Sequence, residues 1–411
     1  MAATAPGRPD GRVRSLLRRT ELDRPAVLAV LLLLVAVTSG PSIQLIASGG
    51  RILSQNDLGW HLRHALSFPL WPPEPPAPYF LFHVTVRFVD AVVPLGPATA
   101  AGITMSMFRV ASACAIYVVL RGGLRDGDPA ASRWPALGGT AMLLVLESPR
   151  ILLVGTSISQ GHAFIPLQTL FSPTNQTLLP FAVITPSVLA VFLRQTQERR
   201  LSPTASWGTF GLLLVGVLAK PSFAFCLLPM VPLWAWARSG TDRWRVAWTT
   251  VVRLCLPIAA VLALQAWYLS FILPPDRQGG FTWGPFSVAT AWGVDKPILW
   301  LSLIVPTIGV LVAGRRWLAS PVVSITLAGA VFGILQFLLL TETGARANDG
   351  NLGWGAEMCI VVLTVHAVRW LVSTHDARRT TVRWRLVAAW AIAGVATLSG
   401  VVAVVTDAVL R

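Results

Sequence analysis

The chain has 411 residues, of which 54% are hydrophobic and 12% are charged, and its mean hydropathy is +0.64. This composition excludes a soluble globular protein of that length and indicates a polytopic membrane protein. The net charge of +15 does not indicate nucleic-acid binding, because most of the 33 basic residues fall in short segments between apolar runs. That distribution is the one the positive-inside rule expects.

Residues 1–25 form a basic tail ahead of an apolar run that begins near Ala26. Its charged region is longer than that of a secretory signal, so residues 26–47 are predicted to be an uncleaved first span with the tail in the cytoplasm. Residues 26–411 contain no long polar region, which indicates a single transmembrane domain.

The first loop after this span, residues 49–95, is expected on the outer face and holds the first polar cluster of the transmembrane domain. In a helix over residues 57–66, Asp57, His61 and His64 fall within one narrow sector that faces the water. Leucine and alanine residues form the opposite side. This segment is therefore predicted to be an amphipathic helix lying on the membrane surface.

A second surface helix is predicted over residues 79–94, after a proline-rich elbow that cannot be helical. The alternative is a span across the membrane. That span would place the three arginines of segment 121–133 outside the cell, against the positive-inside rule. Arg87 and Asp90 are three residues apart and are expected to pair within this helix.

About 11 spans are predicted in all, so the fold class is an all-α polytopic membrane protein. The spans lie near residues 26–47, 98–120, 136–148, 173–193, 207–219, 222–237, 248–273, 297–313, 320–340, 355–372 and 386–409. The predicted location is the plasma membrane, with short basic connections inside. The outer connections are mixed in charge and rich in Gly, Trp and Asn, so they are expected to wall a pocket on the extracytoplasmic face.

These outer connections contain most of the remaining candidates for chemistry. Lys220 precedes Pro221 where the chain breaks between two short spans, and so lies at the mouth of the helix bundle. The four cysteines lie within apolar runs without metal-ligand spacing and are expected to be core residues. The other polar or aromatic candidates are His162, Arg277, Trp283, Lys296, Arg346, Asn348, Asn351 and Trp354.

The layout resembles the first outer loop of the GT-C glycosyltransferases, integral membrane enzymes that use polyprenyl-phosphate sugars. The similarity rests on an acidic residue soon after the first span, a surface helix, a proline elbow and a second surface helix beginning PPAPYFLF. The KPSF sequence, residues 220–223, is similar to the Lys-Pro element of some families in that superfamily. The resemblance covers Ala26 to Trp236, whereas the later spans match only in kind.

The resemblance implies an inverting transfer from a polyprenyl-phosphate sugar to an extracytoplasmic glycan or lipid acceptor, among membrane lipids. Asp57 would be the base that accepts the proton of the acceptor hydroxyl as the lipid phosphate leaves. His61 or His64 would orient that base or contact the donor phosphate, and His162 is a further candidate for phosphate contact. Cations for the leaving phosphate would be Lys220, Arg277, Lys296 and Arg346, and sugar contacts would come from Trp283, Asn348, Asn351 and Trp354.

A divalent cation is compatible with this chemistry. Asp57 stands alone rather than in an Asp-Asp or Asp-x-Asp pair, however, so no metal ligands are assigned and no cofactor is named.

Each assignment has a structural alternative. Asp57 is equally well explained as a helix-capping or salt-bridging carboxylate. Lys220 is explained as a lysine that extends its ammonium to the interface, and Arg346 as one partner of a salt bridge within its turn. The tryptophans, 17 in all, are explained in large part by an interfacial belt.

Two other functions stay open. A transporter or flippase for a lipid-linked or polar substrate would need ionisable residues at mid-membrane depth, and Arg109 is one such residue. A catalytically inert GT-C-like scaffold of a cell-envelope complex would keep the fold and lose the chemistry.

Overall fold

A computed structural model of the chain describes residues 24–47, 59, 61–62, 65, 79–94, 96–122, 133–146, 172–272, 280–292, 302–343, 351–373 and 383–410. Helices make up 87% of this structure, which identifies an all-α architecture with one short β-hairpin. The longer helices of the first half are α1 (Pro25–Ala47), α2 (Leu81–Val92), α3 (Pro97–Arg121), α4 (Arg133–Val145), α5 (Pro173–Gln197), α6 (Pro203–Ala219) and α7 (Ser222–Arg238).

The second half continues with helices of more varied length. They are α8 (Arg243–Thr250), α9 (Leu256–Phe271), α10 (Ser287–Trp292), α11 (Thr307–Ala313), α12 (Arg315–Ala319), α13 (Pro321–Leu339), α14 (Gly353–Ser373) and α15 (Arg383–Leu410). A π-helical turn, Val251–Cys255, joins α8 to α9. Strands β1 (Phe281–Trp283) and β2 (Leu340–Glu342) pair antiparallel, with Thr282 opposite Thr341.

Six of the described helical segments are long and apolar enough to cross a membrane. They are Pro97–Arg121, Pro173–Gln197, Gly240–Phe271, Pro321–Leu339, Gly353–Ser373 and Arg383–Val402, and shorter apolar helices occupy Pro25–Gly40, Pro203–Ala219 and Ser222–Arg238. The chain is therefore a membrane-embedded helical protein. The larger number of about 11 spans stays a prediction, since α4 has 13 residues and α11 has seven.

The helices alternate in direction between two ends of the bundle, named here the Arg199 end and the Lys220 end. At the Arg199 end, Asp242 accepts hydrogen bonds from Arg199 and Arg245, which joins the end of α5 to the start of α8. Trp234, near the end of α7, donates to Ser324 in the first turn of α13.

The first turns of α3, α5, α7 and α14 all lie at the Lys220 end. A Cβ added at Gly139 of α4 would contact Leu120 of α3 together with Val368 and Val372 of α14, so the last turns of α3 and α14 lie side by side. The last turns of α5 and α7 lie at the same Arg199 end, as the hydrogen bonds there show. All four helices therefore run in one direction.

A separate small core forms where the first loop folds onto α3. Phe82, Val86 and Val89 of α2 pack against Leu62 and Ala65. The partners from α3 are Ala100, Ala101 and Met105, which lie in its first turns. Because α3 begins at the Lys220 end, this core lies at that end too.

The predicted helix over residues 79–94 is present as α2, and the predicted pair forms within it, with 3.7 Å between Arg87 and Asp90. His61 was expected to face the water, and this is wrong: it is 3% exposed and its Nδ1 lies 2.9 Å from Nε2 of His83. The prediction that His61 faces the water failed because α2 packs over the side of the segment that carries His61.

Arg109, in the middle of α3, is 1% exposed, and its hydrogen bonds explain why a buried guanidinium is tolerated there. Its Nε donates to Oγ of Ser39 at 3.1 Å and its Nη2 donates to the carbonyl oxygen of Leu144 at 2.6 Å. Leu144 lies in the last turn of the short helix α4, where carbonyl groups lack intrahelical donors and the helix dipole is negative. The arginine thus joins α1, α3 and α4.

Replacing Arg109 with Met is expected to lower the free energy of unfolding by about 2 to 3 kcal/mol. The reason is that the carbonyl oxygen of Leu144 remains buried but loses its charged hydrogen-bond donor. Arg87→Met is the control, with an expected loss under about 0.5 kcal/mol for a partly exposed ion pair. Denaturation of the purified protein in mixed micelles measures both. Equal effects of the two variants would contradict a structural role for Arg109.

Candidate functional site

Lys220 is held at the junction of α6 and α7 by the proline that follows it. A residue before proline is disfavoured in helical conformation, and Lys220 is extended, with φ −165° and ψ 123°. Its N–H still donates to the carbonyl oxygen of Gly216, so the break occurs within a single residue. The helix α7 begins directly after Pro221.

The Lys220 side chain turns into the protein and rests on an aromatic ring. Its Nζ lies 4.2 Å from the centroid of Trp354, a cation–π contact, and the residue is only 9% exposed. Glu357 follows Trp354 by three residues on α14, so the two share a helix face. Glu357 is 4% exposed, and the charge of Lys220 acts on its carboxyl group.

The backbones of α7 and α14 touch where both helices begin. A Cβ added at Gly355 would overlap with the carbonyl oxygen of Ser222 and with Sγ of Cys226. Only glycine permits this approach, which resembles the small-residue contacts of other membrane helix pairs. The contact places Trp354 and Glu357 beside Ser222, which lies two positions after Lys220.

The first turn of α5 lies at the same level as Lys220. A Cβ added at Gly216 would lie 3.4 Å from Leu178 of α5, and both residues border the apolar gap that Phe223 also lines. Lys220 is one turn beyond Gly216, and Asn175 is one turn before Leu178 on the same helix face. Because α5 and α6 are antiparallel, these two steps, of about 6 Å and about 4.5 Å, lead toward the same end, which places Asn175 level with Lys220.

A hydrogen-bonded turn leads into α14. The amide of Asn351 donates to Oε2 of Glu342 at 2.7 Å, and the N–H of Trp354 donates to the carbonyl oxygen of Asn351. Glu342 belongs to β2, which follows α13 directly. The hairpin therefore positions the turn that carries Trp354.

The structure brings together three of the site residues predicted from the sequence, namely Lys220, Asn351 and Trp354. Trp283 lies on the neighbouring strand β1, where it is exposed and pairs with Leu340. Asp57, His64, His162, Arg277, Lys296, Arg346 and Asn348 lie outside the described residues.

The neighbours of Asp57 in sequence nonetheless belong to the Lys220 end. Gly59 and His61 are buried, and the His61 ring packs edge-on against Phe82 of the small core. That core rests on the first turns of α3, which begins at the Lys220 end.

Several buried polar residues at this end were not predicted as site residues. They are Ser172, Asn175, Ser222 and Glu357, together with His83, which contacts His61. The three-residue spacing between Trp354 and Glu357 was one available signal. Another was the polar sequence of residues 174–177 at the start of an apolar span. Within the described part of the chain, no group of three His, Cys, Asp or Glu side chains could hold a metal ion.

The arrangement is suited to a negatively charged group. Helix N-termini present free N–H groups and the positive end of the helix dipole. Here α5, α7 and α14 all begin at the Lys220 end, and the Lys220 ammonium contacts Trp354 in the first turn of α14. Phosphate binding at such positions is a general property of helix N-termini.

Gly355→Ala is expected to lower the free energy of unfolding by about 1 to 3 kcal/mol, because the new methyl group forces α7 and α14 apart. Gly211→Ala in α6 is the control, since no atom lies within 4 Å of the added Cβ. It should be neutral or stabilising by up to about 1 kcal/mol. Denaturation in mixed micelles measures both, and a stabilised Gly355→Ala variant would refute the close packing.

Comparisons of the chain with protein-family models, with curated proteins and with solved structures found no match.

Proposed function

We propose that this chain is an inverting glycosyltransferase of the GT-C kind. It transfers a sugar from a polyprenyl-phosphate donor to a glycan or lipid acceptor on the extracytoplasmic side of the plasma membrane, in the synthesis of a cell-envelope glycan or glycolipid. The observation that carries the proposal is the position of Lys220, a buried ammonium on the Trp354 ring at the start of three apolar helices.

This position favours phosphate binding over the simplest structural alternative. A lysine that only relieves its burial extends its ammonium to water, whereas Lys220 is directed to Trp354 inside the protein. A cation held among helix N-termini at one end of a membrane bundle suits an anion that is itself attached to a lipid. A lipid phosphate combines both properties.

Asp57 is the proposed base, and its place in the chain supports this role. Gly59 and His61, which follow it closely, are buried at the Lys220 end. The acceptor hydroxyl would lose its proton to Asp57 while the phosphate oxygen leaves toward Lys220. An inverting transfer requires these two groups on opposite sides of the anomeric carbon.

The proposed sidedness follows from the basic residues. The described arginines at the Arg199 end include Arg194, Arg199, Arg200, Arg238, Arg243 and Arg245. The positive-inside rule assigns this end to the cytoplasm, which makes the Lys220 end extracytoplasmic.

The observation that favoured a transporter, the ionisable Arg109 within its span, no longer does so. Arg109 donates to Ser39 and to the last turn of α4, so its burial has a structural explanation. The inert scaffold is the second candidate, and it differs from the enzyme only in activity.

Asp57→Asn is expected to lower the rate of sugar transfer from a polyprenyl-phosphate donor by about 10²- to 10⁴-fold, because the general base is lost. Lys220→Met should lower it by about 10²- to 10³-fold, with partial recovery in Lys220→Arg. Asp90→Asn is the matched control, because Asp90 lies at the same end and pairs with Arg87. The assay measures donor consumption by purified protein in detergent.

This assay separates the enzyme from both alternatives. Detergent removes compartments, so a transporter would leave the donor intact. An inert scaffold would also show no turnover by the wild-type protein with any donor and acceptor. Full activity in Asp57→Asn would refute its role as base.

Single cysteines introduced at Glu198 and at Thr343 of a cysteine-free variant are expected to react from opposite sides of the membrane. Both positions are exposed, and they lie at the Arg199 and Lys220 ends. A membrane-impermeant maleimide added to intact cells should label Thr343→Cys and spare Glu198→Cys. Labelling of both, or the reverse pattern, would contradict the proposed sidedness.

A further inference from the structure

Four buried side chains at the Lys220 end have polar atoms without hydrogen-bond partners in the described structure. The atoms are Oγ of Ser172, Oδ1 and Nδ2 of Asn175, Oγ of Ser222 and Oε1 of Glu357. Ser172 and Ser222 are 4% and 8% exposed, and Asn175 is 1% exposed. An unsatisfied buried polar group is costly, so such a concentration calls for an explanation.

Three other buried hydroxyl groups in the helices of this end are satisfied within their own helix. Thr177, Thr209 and Thr364 each donate to the carbonyl oxygen four residues earlier. Ser172, which precedes α5, and Ser222, which begins α7, have no such helical carbonyl behind them. Ser172 also makes no side-chain capping bond. Their polar groups are therefore left for a partner outside their own helix.

Helix geometry places the four residues at the same end of the bundle, near Lys220. Asn175 is level with Lys220 on the α5 face that packs against α6, and Ser172 is the extended N-cap residue that precedes this first turn. Ser222 is two residues beyond Lys220, and its carbonyl group touches α14 at Gly355. Glu357 lies on the α14 face that carries Trp354, within the influence of the Lys220 charge.

The hydrogen-bonding character of these atoms indicates that their ligand is a group other than the phosphate. Oδ1 of Asn175 and Oε1 of Glu357 accept hydrogen bonds, which phosphate oxygens cannot donate to them. Nδ2 of Asn175 donates, and the serine hydroxyls do both. A ligand with several hydroxyl groups satisfies donors and acceptors together.

We propose that Ser172, Asn175, Ser222 and Glu357 form the subsite that binds the hydroxyl groups of the donor sugar, next to the Lys220 position that binds its phosphate. The inference rests on the proposed function, because it assumes a lipid-linked sugar as donor. It assigns sugar selectivity to the first turns of α5, α7 and α14 rather than to the exposed Trp283.

The test compares binding of two kinds of probe to the purified full chain in nanodiscs. One probe is bare polyprenyl phosphate, and the others are polyprenyl-phosphate hexoses and pentoses. The wild-type protein should bind at least one sugar-bearing lipid ten or more times more tightly than the bare lipid. Asn175→Leu and Glu357→Gln should each reduce that preference at least fivefold while leaving affinity for the bare lipid within twofold.

Thr177→Val is the matched control, because its buried hydroxyl in the same turn of α5 already bonds to the Pro173 carbonyl. It should leave both affinities unchanged. Asn175→Leu should also keep or raise the midpoint of thermal unfolding, because it removes unsatisfied buried polar atoms. Ser172→Ala provides a second, milder variant with the same expected direction.

The outcomes separate the two proposals. Equal wild-type binding of the bare and every sugar-bearing lipid would overturn the sugar subsite, as would a preference that survives in Asn175→Leu and Glu357→Gln. Variants that lose both kinds of lipid equally would overturn it as well. A wild-type protein that binds neither kind would instead refute the lipid-phosphate function on which the subsite rests.

Discussion

The close approach of α7 and α14 at Ser222 and Gly355 is the constraint on which the Lys220 end depends. The approach requires a residue without a side chain, and it places the first turn of α14 against the break between α6 and α7. Trp354 can then lie beneath the Lys220 ammonium, and Glu357 can lie one turn further along. Neither contact would form if the two helices were separated by an ordinary pair of side chains.

Two buried ionisable residues illustrate different uses of charge in the bundle. Arg109 donates to Ser39 and to the end of α4, and in doing so it satisfies a helix terminus that lies within the bundle. Glu357 has a carboxyl oxygen without a hydrogen-bond partner in the described structure, close to a cation and to the starts of three helices. The first arrangement stabilises packing, whereas the second is suited to contact with a ligand.

Much of the fold could be predicted from the sequence because its signals are local. Apolar runs and prolines located α3, α5, α13 and α14 to within a few residues, and the three-residue spacing predicted the pair Arg87–Asp90. The exposure of His61 was not predictable in this way. Helical periodicity defines a sector but does not say which neighbour covers it, and α2 covers the side that was expected to face water.

The candidate site was also predicted in part from local sequence signals and recognised in part only from the tertiary structure. The Lys-Pro break alone placed Lys220 at a helix end, because proline restricts the residue before it. Asn175, Ser222 and Glu357 were recognised only in the tertiary structure, since their significance comes from unsatisfied atoms at the starts of three helices that lie at the same end.

The sequence by itself determined that this is a helical membrane protein, where its main helices lie and where its basic residues gather, because hydropathy and charge act along the chain. Only the tertiary structure decided which helix ends meet. That depends on packing between residues more than 100 positions apart, such as Lys220 with Trp354 and Ser222 with Gly355. The physical reason is that close helix contacts in a membrane depend on the shapes of both packed surfaces. The sequence of one helix does not specify which other helix packs against it.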